Sequence, residues 1–93
     1  MIYLDNAATT GEKPKEVTEA VVKAMNRYSV NPGRGGYERS VRCAEEIYRC
    51  RDKVSSFFGA DAPERVIFTA GCTASLNTVI KGIVRPGDHI VIS

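Results

Sequence analysis

In Arg65-Val66-Ile67-Phe68-Thr69-Ala70-Gly71-Cys72-Thr73-Ala74-Ser75-Leu76-Asn77 an apolar triplet runs into a glycine turn and then into hydroxyl-bearing residues. Val66, Ile67 and Phe68 have the length and character of a short buried strand. Gly71 can adopt backbone angles closed to other residues and lets a ligand approach the main chain. Thr73 and Ser75 fall where a helix begins, where side-chain oxygens cap free N–H groups. A helix N-terminus presents unpaired donors and a partial positive charge, so Gly71, Cys72 and Thr73 form a candidate phosphate seat. An ordinary capped strand-to-helix turn has the same local pattern, so this stretch alone does not separate the two readings.

Downstream, Leu76, Val79, Ile80 and Ile83 predict a helix from about Ala74 to Ile83. Arg85-Pro86-Gly87-Asp88 is a turn, and His89-Ile90-Val91-Ile92-Ser93 is a second apolar strand. Strand, helix, strand implies parallel strands joined by a right-handed crossover. Such strands are buried on both faces, which two short strands and one helix cannot achieve. Residues 61–93 therefore read as the opening of a larger α/β domain, with 1–60 supplying an N-terminal arm and two helices.

The arm carries small and hydroxyl residues in Asp5-Asn6-Ala7-Ala8-Thr9-Thr10, where alanines leave room beside the backbone. Lys13-Pro14 opens the first helix, since proline suits the first helical position. Val17, Ala20, Val21, Ala24, Met25 and Tyr28 follow as one apolar stripe. Asn31-Pro32-Gly33-Arg34-Gly35-Gly36 breaks it, with three glycines in four positions. Arg34 in that frame is either a solvated side chain or an anion clamp. The second helix runs from near Glu38 to Phe58 and stops at Gly59. Ala44, Ile47, Tyr48, Arg51, Val54 and Phe58 outline its inner side, where Arg51 either snorkels or pairs with an acid.

The chain has 93 residues, 43% hydrophobic and 26% charged, with 13 basic against 11 acidic side chains. That balance, without a basic stripe and interleaved aromatics, gives no reason to expect nucleic acid as a partner. No apolar run approaches the ~20 residues needed to span a bilayer. Met1-Ile2-Tyr3-Leu4-Asp5 lacks the basic start of a signal peptide, so the expectation is a cytoplasmic protein without membrane contact. Cys43, Cys50 and Cys72 are an odd set without Cys-x-x-Cys spacing, which argues for reduced thiols and against a zinc site. No metal-ligating pattern is present. The lone histidine, His89, has no nucleophile singled out beside it, so no catalytic residue is assigned. Cys72 at a helix N-terminus is either a reactive thiol or a donor of its backbone N–H alone.

Four segments taken together resemble a known family. Tyr3-Leu4-Asp5-Asn6-Ala7-Ala8-Thr9-Thr10, Asn31-Pro32-Gly33-Arg34-Gly35-Gly36-Tyr37, Val66-Ile67-Phe68-Thr69-Ala70-Gly71-Cys72-Thr73 and Gly87-Asp88-His89-Ile90-Val91 are similar, in order, to the N-terminal portion of the cysteine desulfurase and selenocysteine lyase family within the class V aminotransferases. The resemblance implies fold type I, a mostly parallel sheet with helices on both faces, of which this chain would hold the helices and the first two strands. It implies pyridoxal 5′-phosphate (PLP) as cofactor, with its phosphate at Gly71, Cys72 and Thr73. Asn6, Ala7 and Ala8 would line the substrate side, and Arg34 and Gly35 would reach into the partner's active site in a homodimer. The implied reaction removes sulfur or selenium from cysteine or selenocysteine and leaves alanine, with a sulfur-acceptor protein as a further partner.

Ala74 departs from the pattern, since many relatives carry glutamate after the threonine. None of Lys13, Lys15, Lys23, Lys53 and Lys81 stands in the motif of the family's Schiff-base lysine, and Cys72 is not its sulfur-accepting cysteine, so 1–93 alone is expected to be inactive. Two other readings remain open: another class V reaction, such as transamination, and a non-catalytic module that binds a phosphate ligand or a protein partner.

Overall fold

The computed structural model describes residues 1–93 as three helices joined by ordered turns. Helix α1 spans Lys15–Arg27, α2 Glu38–Phe58 and α3 Cys72–Ile83, with a 3₁₀ turn at Pro63–Arg65 between the last two.

Local chemistry accounts for each boundary. Pro14 is the residue before α1, with ψ 142°, one position earlier than expected; Tyr28 closes that helix through its N–H to the Ala24 carbonyl at 2.8 Å. Helix α2 ends at Gly59 in the left-handed conformation (φ 68°), which a side chain would disfavour by roughly 1 kcal/mol. The stop is completed by Ala60 N–H to Ser55 C=O at 2.9 Å and by the buried Ser55 hydroxyl, which donates to Ala60 C=O at 3.1 Å. The Glu46–Arg49 and Asp61–Arg65 ion pairs are exposed and contribute little.

The expected strands at Val66–Phe68 and His89–Ser93 do not form. Val66 has extended angles (φ −93°, ψ 117°), but neither stretch joins a ladder. A strand is completed by hydrogen bonds to another strand, and these two do not pair with each other. Of the strand-helix-strand unit the helix is present, and the stretches on either side of it form no sheet.

The main packing between elements is α2 against the 3₁₀ turn, and Arg39 on α2 also reaches the last carbonyls of α1. The stripe of α1 forms as a stripe but covers nothing: Val17, Val21 and Met25 are all exposed. Ser40, Cys43 and Ser55, all on α2, are the buried residues. Arg51 neither snorkels nor pairs with an acid. Its guanidinium lies 5.8 Å from the centre of the Phe68 ring, and its Nε is buried without a partner.

Tyr48 ties α2 to the 3₁₀ turn by donating to Glu64 Oε1 at 3.0 Å. That hydrogen bond, followed by the repulsion between Glu64 and a phenolate, raises the Tyr48 pKa above its ordinary value of 10.0. A raised pKa means that the contact stabilises the fold below the ordinary value and that this contribution is lost as pH climbs through the raised one. Glu64→Gln is expected to bring the Tyr48 midpoint down, followed by the ring ¹³Cζ shift during alkaline titration. An unchanged midpoint would exclude Glu64 as the cause.

Candidate functional site

The turn into α3 is held by hydroxyls, though not in the expected way. Thr69 Oγ1 donates to Gly71 C=O at 3.0 Å and also meets Ser75 Oγ. Ser75 Oγ reaches the same carbonyl at 3.3 Å, and Ser75 N–H reaches it at 3.1 Å. Neither Thr73 nor Ser75 caps a backbone N–H. Thr69 is the residue that closes the turn, and its signal in the sequence is a hydroxyl two positions before a glycine.

Gly71 does not use the angles that are open to glycine alone. Its φ of 164° is ordinary extended backbone, open to any residue. A Cβ built there would meet no atom within 4 Å. What the glycine provides is open space over the first turn of α3.

The consequence is a bare helix start. The N–H groups of Cys72, Thr73 and Ala74 have no acceptor, and the Thr73 hydroxyl is likewise unengaged. No acidic residue occupies the first turn, so nothing cancels the positive end of the helix dipole. Free donors, a hydroxyl, a partial positive charge and clear space together fit a phosphate group.

The substrate-side candidates lie in two other segments. In the arm, Tyr3 Oη donates to the carbonyls of Asp5 at 3.1 Å and Thr9 at 2.9 Å. Asn6 uses its own amide within that turn, donating to Tyr3 C=O and accepting from Gly11 N–H, both at 3.4 Å. Ala7 and Ala8 are exposed on the same turn. Asn6 thus shapes the arm here, with one amide N–H and one oxygen lone pair engaged.

In the loop between α1 and α2, Arg34 is exposed and makes no hydrogen bond or ion pair. Gly35 is needed for steric reasons. A Cβ there would run into the Tyr37 ring and come within 3.0 Å of Ser40 Cβ.

These three segments are not brought together. The arm hydrogen-bonds within itself and to Lys13, the loop bonds to α2, and residues 69–78 bond among themselves. A groove of about 650 Å³ is lined by Ala44, Glu45, Tyr48, Arg49 and Asp52, none of them a candidate. Its lining is charged and open, and it offers no convergent donors, so the turn at Gly71–Thr73 remains the better site on chemical grounds. The arrangement holds no cluster of metal ligands. No helix is long and apolar enough to cross a membrane.

Comparison with known proteins bears on what this turn belongs to. A family model described as aminotransferase class V matches residues 2–93. A probable cysteine desulfurase of Vibrio cholerae is 31% identical over 97 residues, covering 100% of this chain and 24% of the relative. One from Treponema pallidum is 37% identical over 95 residues, covering 98% of this chain and 23% of the relative. One from Streptomyces coelicolor is 38% identical over 79 residues, covering 85% of this chain and 19% of the relative. The chain thus spans about a quarter of the length of the curated relatives it matches in full. No solved structure matches. The match runs through the arm, the glycine loop and the bare start of α3 alike, and on that continuity the chain belongs to the class V aminotransferase family.

Proposed function

We propose that this chain is the N-terminal part of a PLP-dependent cysteine desulfurase of fold type I, with residues 1–60 forming the arm and two helices and 61–93 opening the large domain. The observation that carries the reading is the set of unpaired N–H donors at Cys72, Thr73 and Ala74 beside a free Thr73 hydroxyl. Relatives named probable cysteine desulfurases, similar along the chain's whole length, support the choice of reaction.

In this reading Gly71 leaves room for the phosphate, Cys72 and Thr73 donate their N–H groups, and Thr73 adds its hydroxyl. Charge-assisted hydrogen bonds of this kind are about twice as strong as neutral ones. When bound, PLP supplies an electron sink for bond breaking at the amino-acid substrate. Asn6, Ala7 and Ala8 border the substrate, and Arg34 and Gly35 approach it from the partner subunit of a homodimer, with Arg34 pairing with the substrate carboxylate. The substrate is cysteine or selenocysteine, the product alanine, and the sulfur passes to an acceptor protein. Three free cysteines suit the reducing cytoplasm.

The test is product analysis on the protein that carries this chain. Incubation with cysteine and PLP in the presence of a thiol reductant, which releases the transferred sulfur as sulfide, is expected to yield alanine and sulfide in equal amounts, with visible absorbance from bound cofactor. 3-Mercaptopyruvate in place of alanine would shift the reading to transamination, and pyruvate with sulfide and ammonia would shift it to elimination. Absence of both cofactor absorbance and product would leave a phosphate-binding or partner-binding module and end the enzyme reading.

A further inference from the structure

The most buried side chain of the molecule, Ser40 at 1% exposure, lies beside the glycine loop and not in a packed core. Cys43, one helical turn further along α2, is buried at 8%. Residues three apart share one face of a helix, so the two look onto the same piece of backbone. In an otherwise open chain this concentration of burial calls for an explanation.

Hydrogen bonds supply one. Ser40 Oγ donates to Asn31 C=O at 2.8 Å. Cys43 Sγ donates to Tyr28 C=O at 3.5 Å, with Val30 C=O at 3.9 Å. Arg39, beside them, directs its guanidinium to the carbonyls of Asn26 and Arg27 at 3.4 Å, at the C-terminal end of α1 where carbonyls lack helical partners. The loop continues the chain of contacts, since Asn31 Oδ1 accepts Gly33 N–H at 2.9 Å. On the far side the Tyr37 ring lies against Gly35, and Tyr37 C=O accepts Ser40 N–H at 3.0 Å. Arg34 therefore sits in a loop anchored at Asn31 and Gly33 while its own guanidinium stays free.

We propose that Ser40, assisted by Cys43, is a positioning residue that fixes the Asn31–Gly36 loop so that Arg34 is presented to the substrate carboxylate. Glycine-rich backbone loses much entropy when it is fixed, so without such anchors Arg34 would sample many positions and bind a carboxylate poorly. The proposal rests on the substrate-side reading of Arg34 given above.

The test compares Ser40→Ala, Arg34→Ala and the double variant in the intact PLP-loaded protein. Ser40→Ala removes one oxygen and adds nothing. It is expected to leave cofactor absorbance intact, to raise KM for the amino-acid substrate up to about tenfold, the equivalent of one lost hydrogen bond, and to lower kcat less. Amide hydrogen exchange over residues 28–36 is expected to quicken. Because Ser40 acts through Arg34, adding Ser40→Ala to Arg34→Ala is expected to raise KM no further. Cys43→Ala, which loses only a weak thiol donor, is expected to show the same pattern at smaller size and covers the case in which Ser40→Ala does not fold. If Arg34→Ala raises KM but Ser40→Ala does not, or if their effects add, Ser40 is structural only and the proposal is overturned. If cofactor binds but Arg34→Ala leaves KM unchanged, the substrate reading of Arg34 is wrong and this proposal falls with it. If no cofactor binds to the unmodified protein, both the desulfurase reading and this proposal fail.

Discussion

A Thr73→Asp variant is expected to lose PLP affinity by roughly a thousandfold. The substitution puts a carboxylate in the first turn of α3, beside the unpaired N–H groups of Cys72, Thr73 and Ala74. Two unit charges of like sign about 4 Å apart cost about 4 kcal/mol at the effective dielectric of a protein surface, which corresponds to that factor. The new carboxylate would also take the free N–H donors for itself as a cap. A negative side chain near a helix N-terminus stabilises the helix by about 0.3–1 kcal/mol, so misfolding is not the expected cause of the loss. Titration of the variant with PLP, followed by cofactor absorbance, measures the effect directly. Affinity within a few-fold of the parent would place the phosphate elsewhere.

The polypeptide Met1–Ser93 by itself is expected to behave as a loosely packed helical chain. Its accessible surface is 8541 Å² for a mass of 10.2 kDa. A folded monomer of that mass exposes roughly 5,300 Å². Its radius of gyration is 17.4 Å, against roughly 12.3 Å for a compact domain of this length. Leu76, Val79, Ile80 and Ile83 leave the apolar face of α3 open, and Ile67, Ile90, Val91 and Ile92 are exposed beside it in sequence. Far-UV circular dichroism should therefore report helix, while heating should give a broad, non-cooperative transition and the dye ANS should bind strongly. A sharp sigmoidal melt of a monomer with no ANS binding would contradict the burial described here.

The helices were legible because their hydrogen bonds lie within one segment. Spacing of Ala44, Ile47, Tyr48 and Val54, together with Gly59, located α2 and its end to within a residue. The apolar triplet Val66–Phe68 was misread as a formed strand because strand identity depends on a partner that periodicity does not reveal. Gly71 can by residue type adopt angles closed to other residues, and its extended backbone shows that residue type licenses such angles without requiring them. Ser40 went unnoticed because a serine in a helical run carries no pattern. Its meaning comes from Asn31, nine residues earlier, folding back onto it.

The order of residues, without coordinates, determined the three helices, the turn at Gly71, the absence of a disulfide framework and the similarity to a PLP enzyme family, since each depends on neighbours along the chain. Tertiary structure alone decided which carbonyls Ser40, Cys43 and Arg39 hold, that Arg51 stacks on Phe68, and that the arm, the glycine loop and the start of α3 stand apart. Such contacts join residues distant in sequence, and they form only where packing brings those residues within hydrogen-bonding reach.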